Sequence, residues 1–186
     1  SKYMENICNK LNNKNNSNYI CASINLNRYN QITKKIKPTI NIGWTGTFST
    51  KKYLKIIEPV IQEISKIRNI NFIVIGDFDY YLEGVKVQNI IWNKSSEISD
   101  LSKIDIGIYP LFEDDWVLGK SGLKALQYMA LGIPTVATNY GNIKEKFPVA
   151  DVVTLNSFFL GTFIGLTDEK INYIRNIVDS FFGENK

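Results

Sequence analysis

Residues 104–138, IDIGIYPLFEDDWVLGKSGLKALQYMALGIPTVAT, carry the pattern that decides the fold. IDIGIYPLF is a continuous apolar run ending at Pro110, and the stretch EDDWVLGKSG reads as a polar loop. LKALQYMALG then has helical character and closes on Gly132, and IPTVATN returns to an extended apolar pattern. Strand, helix and strand in that order form a parallel unit, because parallel neighbours need a crossover between them.

The same alternation extends upstream. TINIGWTG (39–46) is a buried strand that runs into the turn GTFST, and a helix is expected over about 50–68. Its apolar face would be Tyr53, Leu54, Ile57, Val60, Ile61, Ile64 and Ile67. NFIVIGD (71–77) reads as a strand buried on both faces, VQNIIW (87–92) as another strand, and SSEISDLSK as a short helix with a serine cap. Downstream, NIKEKF suggests a helical turn, DVVTLN a last strand, and about 167–182 an amphipathic helix. Together these predict a Rossmann-like, doubly wound parallel α/β sheet over residues 39–186.

Residues 1–38 differ. A helix is expected over 2–12, a polar turn at NNKNNSN, a short strand over Tyr19–Ile24, and an extended connector, NLNRYNQITKKIKP, ending at Pro38. That stretch holds too little apolar material for a domain of its own.

Composition narrows the function. The 186 residues are 44% hydrophobic and 22% charged, with a net charge of +4 and no stripe of lysines, which argues against a nucleic-acid partner. With no histidine, Ser-His-Asp and Cys-His nucleophilic machinery is excluded, as are most catalytic zinc sites, and no metal site is expected. Cys8 and Cys21 have no metal spacing and read as reduced, structural residues. No apolar run reaches the ~18 residues needed to cross a bilayer, and no signal-peptide pattern opens the chain, so a cytoplasmic location is expected.

Two loops suit phosphate, and both fall where a parallel sheet binds its ligands, beyond the carboxyl ends of the strands. GKSG resembles the end of a Walker A loop, but the position five before Gly119 is Asp114, a carboxylate where backbone must approach phosphate. What remains is a helix start with free amides, Gly122 for close approach, and Lys120 and Lys124 spaced four apart. Either this set binds a diphosphate, or the lysines are solvated and Gly122 eases packing. In the other loop, Gly46 allows close approach, Thr47, Ser49 and Thr50 offer hydroxyls, and Lys51 or Lys52 a cation, unless Ser49 or Thr50 simply caps the helix. Of the acids, Asp115 is the candidate for a substrate hydroxyl. Trp44 and Trp92 both read as core or packing residues, and Trp92, which ends a strand, is the better stacking candidate of the two.

The string DIGIYPL…GKSGLKALQYMALGIPTVAT, with INIGWTGTFSTKKYLKII and NFIVIGD before it, resembles the C-terminal, nucleotide-sugar-binding domain of GT-B glycosyltransferases of group 1, or family 4. NRYN resembles the link between that family's two domains, so residues 1–38 would be connector or the tail of an N-terminal domain. The resemblance implies a retaining, metal-independent hexosyltransferase, as in cell-envelope polysaccharide synthesis, with no cofactor and a UDP- or GDP-linked sugar as donor. Its partner would be an acceptor-binding N-terminal domain, without which this chain would be inactive. The full-length protein could also touch the inner membrane peripherally.

Aligned with the family's Glu-x7-Glu motif, Gly119 takes the first glutamate position and Gln127 the second, where an amide can still bond a ribose diol. Backbone around Ser121, Gly122 and Leu123 would meet the diphosphate, with Lys120 and Lys124 as substitutes near the phosphates and Lys120 the candidate for stabilising the leaving group. The family's clamping Arg position falls at Thr47. Two alternatives share the fold: a non-catalytic nucleotide-binding module and a nucleotide-sugar 2-epimerase.

Overall fold

The computed structural model describes residues 1–12, 16–20, 22–30 and 37–140. A helix, α1 (Lys2–Asn12), is followed by a strap at residues 22–30 that carries one 3₁₀ turn, Leu26–Arg28, capped by the Asn25 side chain accepting from the Asn27 amide at 3.0 Å. The α/β body then runs β1 (Ile40–Thr45), a 3₁₀ helix (Phe48–Ile56), α2 (Glu58–Ile67), β2 (Ile70–Gly76) and β3 (Val87–Ile91). It continues with α3 (Glu97–Leu101), β4 (Ile106–Tyr109), α4 (Asp115–Leu118), α5 (Leu123–Ala130) and β5 (Thr135–Ala137).

All five strands are parallel, in the order β3-β2-β1-β4-β5. The expected doubly wound sheet is therefore present. Every residue of β2 is buried, and its side chains alternate between two layers. Phe72 and Val74 join Ile42, Trp44, Leu54 and Ile61 under the helices that follow β1. Ile73 and Ile75 join Leu101, Tyr128 and Leu131 under α3 and α5. A continuous apolar run at period two is what such a doubly covered strand requires.

The long helix expected over 50–68 is two helices. Pro59 has no amide to give the Lys55 carbonyl, and its ring would collide there, so the chain breaks at Ile57 and restarts with proline in the first turn of α2. The break rotates the apolar face, and Val60 and Ile67 are left 56% and 75% exposed.

The β2–β3 crossover, residues 77–86, has no helix. Tyr80 and Leu82 fill the covering layer instead. Asn89 clamps the loop, its side chain accepting from the Tyr80 amide and donating to the Tyr80 carbonyl, both at 3.0 Å, while the Tyr80 hydroxyl donates to Glu58 at 2.6 Å.

Three further expectations are corrected. Around Tyr19–Ile24 the described residues form no strand, and Ile20 is exposed. The 113–122 loop contains the single helical turn α4, made by the Asp114 cap. Cys8 is a free thiol, as the reduced reading expected, but it is exposed and has no structural role in the core. Cys21, the middle of the connector, and the turn, strand and helix expected after residue 140 lie outside the described residues. Among the described residues no helix is long and apolar enough to cross a membrane.

Helix α5 is seated on β4 at Gly107, where a Cβ would lie 2.6 Å from the base of the Tyr128 ring. Gly107→Ala must push α5 outward and should lower the unfolding free energy by about 1–3 kcal/mol in a denaturant titration. An unchanged midpoint would contradict this seating.

Candidate functional site

A cavity of about 920 Å³ opens above the carboxyl ends of β1, β2, β3 and β4. Its floor lies where the strand order reverses: the chain leaves β1 toward one face and β4 toward the other, separating the loops between them. Thr45, Gly46 and Thr47 form one wall, Lys120, Ser121, Leu123, Lys124 and Gln127 the opposite one, and Trp92 and Glu97 one end.

The β1 wall is built from self-satisfied polar groups. The Gly46 amide donates to Ile75 O at 2.9 Å, and a Cβ on Gly46 would run into the Trp44 ring and Thr50 Oγ1. Glycine is thus required here by packing, before any ligand is considered. The Thr47 amide donates to Thr50 Oγ1 at 3.1 Å, Thr50 Oγ1 donates back to Thr47 O at 2.9 Å, and Thr47 and Ser49 share a hydroxyl contact of 3.0 Å. The amide of Phe48 donates to Asp77 Oδ1 at 2.7 Å. Thr50 therefore serves the helix start, as its capping reading foresaw.

The opposite wall is basic. The Asp114 side chain caps α4 by accepting from the Val117 amide at 2.8 Å. The chain then turns through Gly122 at φ +72°, a left-handed value that favours glycine, into α5. The first bond inside α5 runs from Leu126 N to Gly122 O, so the amides of Leu123, Lys124 and Ala125 precede the intrahelical ladder.

Because α5 starts at Leu123, Lys120 stands in the turn before the helix and not on its face, yet both lysines line the cavity. The Lys120 ammonium lies 5.5 Å from the Tyr53 ring centre and that of Lys124 lies 5.2 Å from the Trp44 ring centre. Aromatic faces stabilise ammoniums that have lost water. Burial holds Lys120 below the ordinary lysine range, with Asp114 opposing the shift and Lys52 adding to it. Burial, and then the Lys120 charge, brings Lys124 down to about 8.

Of the residues singled out from sequence, Gly46, Thr47, Trp92, Lys120, Ser121, Leu123, Lys124 and Gln127 are brought together around the cavity. Ser49, Lys51, Lys52, Asp115, Gly119 and Gly122 are not on its wall. Lys51 is turned away, donating to Asp79 O at 3.2 Å over the Phe78 and Tyr80 rings. Lys52 lies outside, over the Tyr53 ring. Asp115 is exposed at the start of α4, and Gly119 ends that turn. A Cβ on Gly119 would meet only ordinary contacts, the nearest being Trp116 O at 3.4 Å and Met4 Sδ at 3.5 Å. Trp44 is a core residue, as its sequence reading held.

Sequence reasoning missed the strap. Ser23, Ile24, Asn25, Arg28 and Tyr29 also line the cavity. The Tyr29 hydroxyl accepts from Gln127 Nε2 at 3.2 Å, and Gln127 is only 7% exposed. The one available signal was NRYN, read there as a link and not as a wall. Tyr109, Asp77 and Glu97 were missed as well, because strand-end residues look like core or cap until the strands are aligned.

Residues 39–154 match the family described as Glycosyl transferases group 1. No curated protein sequence matches the chain.

The Lys124 shift has a consequence for stability. Its folded pKa lies below the unfolded value of 10.5, so the unfolded chain binds more protons between about pH 8 and 10.5 and stability should rise across that window. Lys124→Met removes the buried charge. It should stabilise the fold at pH 7 by about 1–3 kcal/mol, with the gain shrinking above pH 8 in thermal melts. A loss of stability at pH 7 would show that the ammonium is not desolvated.

Proposed function

The chain belongs to the group 1 glycosyl transferases, and from that premise we propose that its cavity holds the diphosphate of a nucleotide-sugar donor. The observation carrying this reading is the pair Lys120 and Lys124, half-sheltered over aromatic rings beside the first amides of α5, in the crevice where the strand order reverses. Two desolvated ammoniums and a helix start form an anion site, and a diphosphate between them would relieve their mutual repulsion.

In the reaction, the sugar's anomeric bond to the diphosphate breaks and negative charge grows on the departing phosphate oxygen. Lys120, Lys124 and the α5 amides would stabilise that charge from one wall of the cavity. Gln127 spends one amide hydrogen on Tyr29 and keeps its carbonyl oxygen for a ribose hydroxyl. We take the body from residue 39 onward as the C-terminal half of a GT-B enzyme acting with retention and without a metal. In such an enzyme an N-terminal domain would hold the acceptor, while this body holds the donor. A cytoplasmic setting, with the acceptor domain near the membrane, accords with a cell-envelope role.

One observation favours a second reading, a nucleotide-binding module without turnover: glycine stands at the position of the family's first glutamate although packing does not demand it. Sugar transfer measured with a nucleotide-sugar and an acceptor separates the two.

Calorimetric titration with nucleoside diphosphates should give measurable binding at pH 7, and Lys120→Ala should weaken it by about 1–3 kcal/mol. Affinity should also fall as pH rises from 7 to 9, because Lys124 loses its proton near 8 in the empty site and the neutral amine gives up its charge-assisted bond. Absence of heat at millimolar ligand, or an affinity indifferent to both changes, would remove the diphosphate from this cavity.

A further inference from the structure

The cavity is chemically polarised. Its ammoniums, carried by α5 and the turn before it, stand over Trp44 of β1 and Tyr53 of the helix after β1, while at the β2–β3 end Asp77 and Glu97 supply carboxylate oxygens and Trp92 supplies an aromatic face. Trp92 is 46% exposed where it follows directly on β3, the edge strand, next to an Ile91 that is 66% exposed. Two bonds hold it in that position. Its backbone amide donates to Gly76 O at 2.8 Å, and its indole Nε1 donates to Glu97 Oε1 at 3.1 Å. The ring is therefore an oriented platform with a carboxylate at its edge. Glu97 Oε2 carries no further bond to the tryptophan.

The distance between the two ends follows from the sheet. Strands β3, β2 and β1 lie side by side, and two steps of about 4.8 Å separate the platform from Trp44, over whose ring the Lys124 ammonium stands, by roughly 10 Å. A ribose and two phosphates can cover such a gap, with a base at one end and the diphosphate at the other. Resting on the diphosphate reading above, the geometry points to a guanine nucleoside diphosphate as the ligand, with the base stacked on Trp92 and read by Glu97.

The selection follows from donor patterns. Guanine presents two adjacent donors, the ring N1–H and the exocyclic amino group, and a carboxylate accepts from both side by side. Uracil presents one N–H between two carbonyls, whose lone pairs would face the carboxylate. Adenine presents an amino group beside a ring acceptor, again setting lone pairs against the carboxylate oxygen. Stacking on Trp92 serves every base and adds affinity without choosing among them. Discrimination therefore belongs to Glu97, since a site built around a hydrogen-bond acceptor rejects analogues lacking the matching donors.

The test compares GDP, UDP and ADP against the 186-residue chain by calorimetry, for the parent, Glu97→Gln and Lys120→Ala. The parent should bind GDP at least about tenfold more tightly than UDP or ADP. Glu97→Gln keeps the shape and an acceptor for the Trp92 indole but replaces one oxygen by a donor, so the preference for GDP should collapse while UDP still binds. An unchanged melting temperature of that variant would assign the loss to recognition and not to folding. Equal affinities for GDP and UDP in the parent, or a GDP preference that survives Glu97→Gln, would overturn the base assignment. If those equal affinities are still weakened by Lys120→Ala, the diphosphate site stands and only the guanine inference falls. If no nucleotide binds, both fall.

Discussion

A parallel sheet places all its carboxyl ends on one rim, and in this chain the order β3-β2-β1-β4-β5 forces the connections after β1 and β4 to opposite faces of it. Everything at the site depends on that constraint. Between the two departing segments no loop can cross the rim, so a crevice opens there. Packing beneath it is tight: Trp44 leaves no space for a Cβ at Gly46, and Tyr128 leaves none at Gly107. These contacts fix the heights of the β1 loop and of α5, and with them the spacing of the groups that face the cavity.

The electrostatic arrangement above that rim works against folding. Lys124 sits over Trp44, partly stripped of water and close to a second ammonium, and its lowered pKa reports the strain of holding the charge there. The rings of Trp44 and Tyr53 offset part of that cost. A solvent-facing lysine would incur none of it, which sets this pair apart from a lysine such as Lys66 in its exposed contact with Glu63. An anion entering the cavity would gain whatever the fold loses there, as expected of a site whose stability is traded for binding.

Much of the fold was readable from period and punctuation. The runs INIGWT and INFIVIG announce buried parallel strands, and Gly132, at φ +72°, ends α5 where the sequence placed the stop. The expected single helix over 50–68 failed at Pro59, whose effect on backbone bonding outweighs an apolar face that reads continuously. The helix-free crossover before β3 could not be read, because Tyr80 and Leu82 cover the sheet through a tertiary clamp by Asn89 that has no local pattern.

The candidate site divides the same way. Lys120 and Lys124 were legible because they flank a helix start, a local signal, and Gln127 was reached only through the family resemblance. Lys51 and Lys52 shared a promising loop but are drawn to nearby aromatic rings outside the cavity. The strap was illegible because Tyr29 reaches Gln127 across 98 positions of sequence. The central claim, that a diphosphate binds at the reversal point of the sheet, is tested most directly by amide chemical shifts recorded while a nucleoside diphosphate is added. Shifts concentrated at Gly46–Thr47 and Lys120–Lys124 are the predicted result. Shifts at the opposite rim, around Asn41 and Asn71, with these amides unmoved, would contradict it.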